Sequence, residues 1–230
     1  MEKRIKDRFD GNVLQEVMQA YNIAEDEIQL LDGFESFIYE FQRADQSCIL
    51  RISHSLRRSE NLIRGEVDWI NYLHRGGASV SRAVLAENGS LVVPVDDGQG
   101  AQFLATAFMK AKGKPPGKDD LDPVFYRRYG RLVGNMHALT KSYLPADLAW
   151  KRFAWDGQAL NEIRALPEGD SLVVEKYIEV REHLDALPRS RESYGLIHQD
   201  AHLGNLFVDQ RGEITLFDFD DCAYSWFMND

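Results

Sequence analysis

Apolar side chains near the start of the chain recur at helical spacing. Val13, Leu14, Val17, Met18 and Tyr21 fall on one face, which predicts an amphipathic helix ending near Asn22. The period then shortens to two. The runs "EIQLL", "FIYEFQ" and "CILRIS" are separated by "DGFES" and "RADQS", so they read as an antiparallel meander of three strands. Residues 59–75 return to the helical period, with Ser59 placed as N-cap and Gly76 and Gly77 as the stop. "AVLAENGSLVVPV" reads as a hairpin turning at Asn88-Gly89, and "AQFLATAFM" as one more strand.

After Met109 the texture changes. "KAKGKPPGKDD" is a Lys, Gly and Pro linker, and beyond it Phe125, Tyr129, Leu132, Val133, Met136 and Leu139 predict a long helix. Further helical patterns lie near 156–166 and 170–187. Strands return with "YGLI", "NLFV" and "EITLF", the last two flanking the turn "DQRG". The expected architecture is α+β in two parts. A sheet-and-helix lobe spans 1–109, a mainly helical lobe spans 110–230, and a hinge lies near 108–113. A cleft between two such lobes is where a small ligand would sit.

Composition narrows the options. The chain has 230 residues, 44% of them hydrophobic, enough for an ordinary globular core. Its net charge of -10 is spread evenly, with 12 basic and 17 acidic residues in 1–110 and 15 and 20 in 111–230. No segment forms a basic footprint, so no nucleic-acid partner is expected. Cys48 and Cys222 have no metal or redox spacing and read as small core residues of a reducing compartment. "MEKRIKDRFD" lacks the apolar stretch of a signal peptide, and "AQFLATAFM" is too short to span a bilayer. The expectation is a cytoplasmic protein with no membrane partner.

The candidate chemistry sits in "LIHQDAHLGNLFV", residues 196–208. If Val208 pairs with Glu213 across "DQRG", Asn205 falls opposite Leu216 and Asp218 lies two residues beyond. Asn205 and Asp218 then emerge at one end of a hairpin, with Asp200 in the loop that enters it. Two carboxylates and an amide oxygen make a hard-oxygen site, suited to Mg²⁺ rather than zinc. A zinc hydrolase built on His198, Asp200 and His202 is disfavoured, because no second His-rich segment supplies further ligands. His202 reads as a solvent-facing loop residue and His137 as a helix-face residue packed against the loop.

"HQDAHLGN" followed by "DFD" resembles the HxDxxxxN catalytic loop and metal-binding aspartate of the kinase-like phosphotransferases, in the aminoglycoside phosphotransferase and choline kinase branch. The resemblance implies a two-lobed protein-kinase-like fold. It makes Asp200 the catalytic base, braced by His198, and makes Asn205 and Asp218 the holders of Mg²⁺. The reaction implied is transfer of the γ-phosphoryl group of ATP or GTP to a hydroxyl of a small molecule. Alternation in "CILRIS" turns Arg51 away from Leu50 and Ile52, toward the place where the family often puts a phosphate-contacting lysine. Glu66 lies in the apolar stripe of Leu62, Trp69, Ile70 and Leu73, where a carboxylate needs a partner, and Arg51 is the expected one.

Three further expectations follow from the resemblance. "DGFESFIYEF" stands where a phosphate-covering loop belongs but has one glycine, Gly33, so its cover would use backbone N–H groups and Ser36. "ATAFMK" would be the hinge meeting the base, with Phe108 and Met109 nearby. Family members continue past "DFD" with more helices than this chain has, so the C-terminal lobe reads as truncated. The run from Asp218 to Asp230 has four acids and no bases, which favours a cationic, amine-bearing acceptor, and Asp220 and Asp221 read as metal-tuning, acceptor-facing or exposed turn residues. The competing reading is a nucleotide-binding pseudokinase or structural protein without turnover.

Overall fold

The computed structural model describes residues 2–31, 33, 35–156 and 171–230. The helical pattern expected near 156–166 lies outside them beyond Asp156. A short helix α1 (Lys3–Lys6) precedes α2 (Gly11–Tyr21), whose first turn is capped by the Asp10 carboxylate accepting from the Asn12 and Val13 N–H groups. Helix α2 ends at Asn22, as read from the sequence, and Asn22 takes the left-handed conformation.

The meander forms as β1 (Ile28–Leu31), β2 (Phe37–Arg43) and β3 (Gln46–His54). Next comes α3 (Glu60–Arg75), with the Ser59 hydroxyl accepting from the Leu62 N–H. Three strands complete the sheet: β4 (Ala83–Val84), β5 (Val93–Asp96) and β6 (Gln102–Met109). The expected hairpin is corrected. A turn does form at Asn88-Gly89, with the Ala86 N–H donating to Ser90 O at 2.8 Å, but its flanks do not pair with each other. Both instead run antiparallel to β6 on the edge opposite β3, through Ala83↔Phe108 and Val93↔Ala105. The eight-residue β6, buried from Phe103 to Ala107, is a longer apolar edge than a two-residue strand can offer.

Helix α3 positions the site because it serves two cores at once. Its Ile63 and Val67 pack with Leu104 and Val92 under the sheet. Its Trp69, Ile70 and Leu73 join Met136, Leu196, Leu206, Leu216 and Phe219 in the core of the second half. That second core is built on α4 (Pro123–Thr140), capped by Asp122, and on two small ribbons. One ribbon pairs β7 (Tyr194–Ile197) with β10 (Ala223–Trp226), and the other pairs β8 (Leu206–Val208) with β9 (Ile214–Leu216). Helix α5 (Ser171–Asp185) lies between α4 and β7 in the chain.

The Lys/Gly/Pro linker is tied down where it passes the site. Lys114 and Val208 exchange backbone hydrogen bonds, and Gly113 at φ +95° approaches so closely that a Cβ would fall on the Val208 carbonyl. Both cysteines are buried and free, and burial pushes the Cys222 thiol up to about 12, as suits inert core residues. Among the described residues no helix is long and apolar enough to cross a membrane.

Candidate functional site

The loop from His198 to Asn205 joins β7 to β8. The ladder Leu206↔Leu216 and Val208↔Ile214 corrects the expected register by one residue. The reason is the turn. Asp209 and Glu213 are bridged by a backbone bond, the Asp209 carboxylate accepts from the Arg211 and Glu213 N–H groups, and Gly212 takes φ +75°, so the loop is longer than "DQRG" alone. Asn205 therefore faces Phe217, whose N–H donates to Asn205 O at 2.9 Å, and Asp218 follows immediately. The correction brings the two proposed metal holders closer together in register than the sequence implied.

Asp200, Asn205 and Asp218 differ in how they are held. The Asn205 Nδ2 donates to Asp200 O at 3.0 Å and to Asp200 Oδ2 at 2.9 Å, while the Asp200 side chain stays 47% exposed. That use of Nδ2 leaves Oδ1 of Asn205 without a partner among the described residues. Asp218 takes φ +64°, is exposed at the end of β9, and its carboxylate makes no hydrogen bond or ion pair among the described residues. A free amide oxygen and a free carboxylate beside each other are donors that fit a hard divalent cation.

His198 does not face solvent. It is fully buried, its Nε2–H donates to Phe217 O at 3.0 Å, and its Nδ1 accepts from the Asp200 N–H at 3.3 Å. Its ring lies 4.3 Å from that of Phe219, which meets Trp69 of α3 edge-on at 5.4 Å. His198 thus braces the loop against β9 and α3, the part the sequence assigned to it. Burial holds the imidazole below its usual pKa, so it stays neutral in the fold. The sign for stability follows: an unfolded histidine takes up a proton below about pH 6.5 that folded His198 does not, so stability present above that pH is lost as pH falls. The denaturant midpoint should drop between pH 8 and pH 5.5, and His198→Gln should flatten that slope.

Nothing in the residue pattern hints at what anchors this loop from below. Gln199 takes φ +75°, a costly conformation for a non-glycine residue, and the Asp230 carboxylate holds it there. Asp230 accepts from the Gln199 N–H at 2.7 Å, the His198 N–H at 3.1 Å and His137 Nε2 at 2.9 Å. Burial opposes its ionisation, but these donors win and hold its carboxyl below the usual range. His137 does pack against the loop, through Asp230.

Opposite the loop, Arg51 of β3 and Glu66 of α3 form the expected pair. Nη1 meets Oε1 at 2.9 Å and Nη2 meets Oε2 at 2.7 Å, with Glu66 fully buried and Arg51 6% exposed. Burial alone would depress the guanidinium, but Glu66 and Asp220 overcome it and keep Arg51 protonated. The pair lines a cavity of about 310 Å³ together with Ile49, Phe108, Met109 and Asp218. Phe108 lies under the Arg51 guanidinium at 5.1 Å. Ser36 is not brought there: its hydroxyl is buried and hydrogen-bonded to Ser53 Oγ at 2.9 Å, because the start of β2 folds it onto β3.

The acidic run is also different from its expected form. Asp220 is buried among arginines, 2.5 Å from Arg57, 3.6 Å from Arg58 and 3.8 Å from Arg51. Burial would raise its carboxyl, but the three guanidiniums hold it below the usual range. Asp221 pairs with Arg58 at 2.7 Å, and Asp230 is the loop anchor. Three of the four acids are therefore engaged internally, and the run carries no argument for a cationic acceptor. Arg152, missed in the sequence, donates to the carbonyls of Leu62, Asp220 and Cys222 at 2.9, 2.6 and 2.8 Å, fastening α3 to the segment after β9.

An antiparallel sheet, a helix whose glutamate grips a strand arginine, and an Asp–Asn loop followed by a metal-competent aspartate define a protein-kinase-like phosphotransferase fold. The comparisons with known proteins agree. Residues 27–230 match the profile described as the phosphotransferase enzyme family, and the chain belongs to that family. Amicoumacin kinase of Bacillus subtilis (strain 168) is 38% identical over 230 residues, covering 99% of this chain and 68% of that protein. The solved amicoumacin kinase hAmiN, in complex with AMP-PNP, Ca²⁺ and Ami, is 35% identical and superposes with a TM-score of 0.95, covering all of this chain and 69% of that one. A microcompartment-associated aminopropanol kinase, 23% identical with a TM-score of 0.74 over 95% of this chain and 71% of its own, shares the fold. The chain is a small-molecule kinase by class.

Proposed function

We propose that this chain transfers the γ-phosphoryl group of ATP to a hydroxyl of a small molecule of the amicoumacin kind, with Mg²⁺ held by Asn205 and Asp218. The observation that carries the reading is the join between cavity and loop: Asp218 lines the same cavity as Arg51 and Glu66 and directly follows the residue paired with Asn205. The apolar wall of Ile49, Phe108 and Met109 suits a nucleotide base, and the division at 109/110 would put it at the seam of two lobes. Bound there, Mg²⁺ would offset phosphate charge as it shifts during transfer. Arg51 would hold phosphate oxygens while Glu66 fixes its fork. Asp200, exposed and anchored by Asn205, would orient the acceptor hydroxyl and take its proton.

The net charge of -10 and the exposed carboxylate of Asp200 favour cationic acceptors over anionic ones, and a protein with this composition would work in the cytoplasm. A panel of hydroxyl compounds, scored by ADP release with Mg²⁺ present, tests the acceptor class. Amicoumacin and other aminated alcohols should be turned over well. Turnover of neutral or anionic acceptors alone would refute the preference.

A further inference from the structure

His202 follows Asp200 by two residues and is exposed, which is how a bystander in a loop would look. One ring nitrogen is nevertheless hydrogen-bonded and the other lies close to Asp200. Nδ1 accepts from the Gly204 N–H at 2.8 Å, so the proton of the neutral ring belongs on Nε2. Nε2 lies 3.4 Å from Asp200 Oδ2, the same oxygen that accepts from Asn205 Nδ2 at 2.9 Å. Contacts of this length in a site without substrate commonly tighten in the working complex.

A second observation points the same way. A Cβ on Gly204 would come within 2.6 Å of the His202 ring, so the glycine leaves exactly the space the imidazole occupies beside Asp200. Backbone bonds fix the rest of the knot: the His202 N–H donates to Asp200 O at 2.8 Å and the Asn205 N–H to His202 O at 3.0 Å. Asn205 Nδ2 donates to Oδ2 of Asp200 with His202 Nε2 3.4 Å from the same oxygen, and Oδ1 is left to the acceptor hydroxyl.

Resting on the phosphotransferase reading, we propose that His202 is a positioning residue that acts through Asp200, engaging Oδ2 so that Oδ1 receives the proton of the acceptor. Two substitutions separate this role from capping the turn. His202→Asn can still cap Gly204 but is too short to reach Asp200. It should keep the melting temperature and the KM for ATP near wild type while kcat falls roughly tenfold to hundredfold. Gly204→Ala, which displaces the ring, should lower kcat in the same way. Wild-type kcat in His202→Asn would overturn the proposal, as would a loss of kcat that comes only with loss of ATP binding.

A readout independent of turnover keeps the two readings apart. In ¹⁵N spectra of the full chain, Asp200→Ala should move the Nε2 resonance of His202 and leave that of His74 in place. An unmoved His202 resonance would overturn the contact itself. A moved resonance, together with a wild-type chain that binds ATP but transfers nothing to any acceptor, would uphold the contact and count against the kinase reading alone.

Discussion

Asp200→Asn is expected to lower kcat by roughly 10²–10⁴-fold while ATP affinity stays within about twofold of wild type. The substitution keeps size and hydrogen-bonding capacity near the loop, so Asn205 and the Asp200 backbone contacts persist. What disappears is the negative oxygen that we propose accepts the hydroxyl proton. Asp200 does not line the cavity of Arg51 and Glu66 in which we propose the nucleotide binds, so its loss should leave the binding step nearly untouched. Isothermal titration with a non-hydrolysable ATP analogue, beside steady-state turnover, separates the two effects. A variant that binds ATP poorly would place Asp200 in the nucleotide site, not at the acceptor.

Glu66→Ala should have the largest effect on stability. Arg51 donates both Nη groups to Glu66 and both side chains are buried, so removing the carboxylate leaves a buried guanidinium with Asp220 as its nearest acid, 3.8 Å away. Breaking one side of a buried pair costs about 3–5 kcal/mol. For a chain of this size that is roughly 6–20 °C in melting temperature, and ATP affinity should fall with it if, as we propose, the Arg51 fork grips phosphate, because Glu66 no longer fixes it. Arg51→Lys should restore part of the affinity lost in Arg51→Ala but not all, since an ammonium cannot meet both oxygens of Glu66 in the plane. Thermal melts and nucleotide titrations on these three variants check the pattern; a Glu66→Ala protein as stable as wild type would contradict it.

The sequence made the catalytic loop legible because its chemistry is local. Asp200, Asn205 and Asp218 are tied to one hairpin, and a one-residue error in register did not separate them. The Arg51–Glu66 pair was legible for another reason: a carboxylate in an apolar helical stripe demands a cation, and strand alternation offered one. What could not be read were contacts that depend on how distant segments meet. Asp230 reaches back to the turn at Gln199, and Arg152 ties α3 to the end of β9, each across many residues without any periodic signal. Asp220 looked like part of an exposed acidic run, yet the arginines that bury it come from β3 and the turn before α3. β4 and β5 looked like a hairpin because the turn between them is good, and only the long edge of β6 decides otherwise.

The most direct test of the account is a single-turnover reaction with γ-labelled ATP, Mg²⁺ and amicoumacin, with the protein in excess over nucleotide. The account predicts that the label appears on the acceptor, in step with ADP, in wild type and not in Asp200→Asn. Label that stays on ATP, or that appears only as inorganic phosphate whatever hydroxyl compound is supplied, would contradict it.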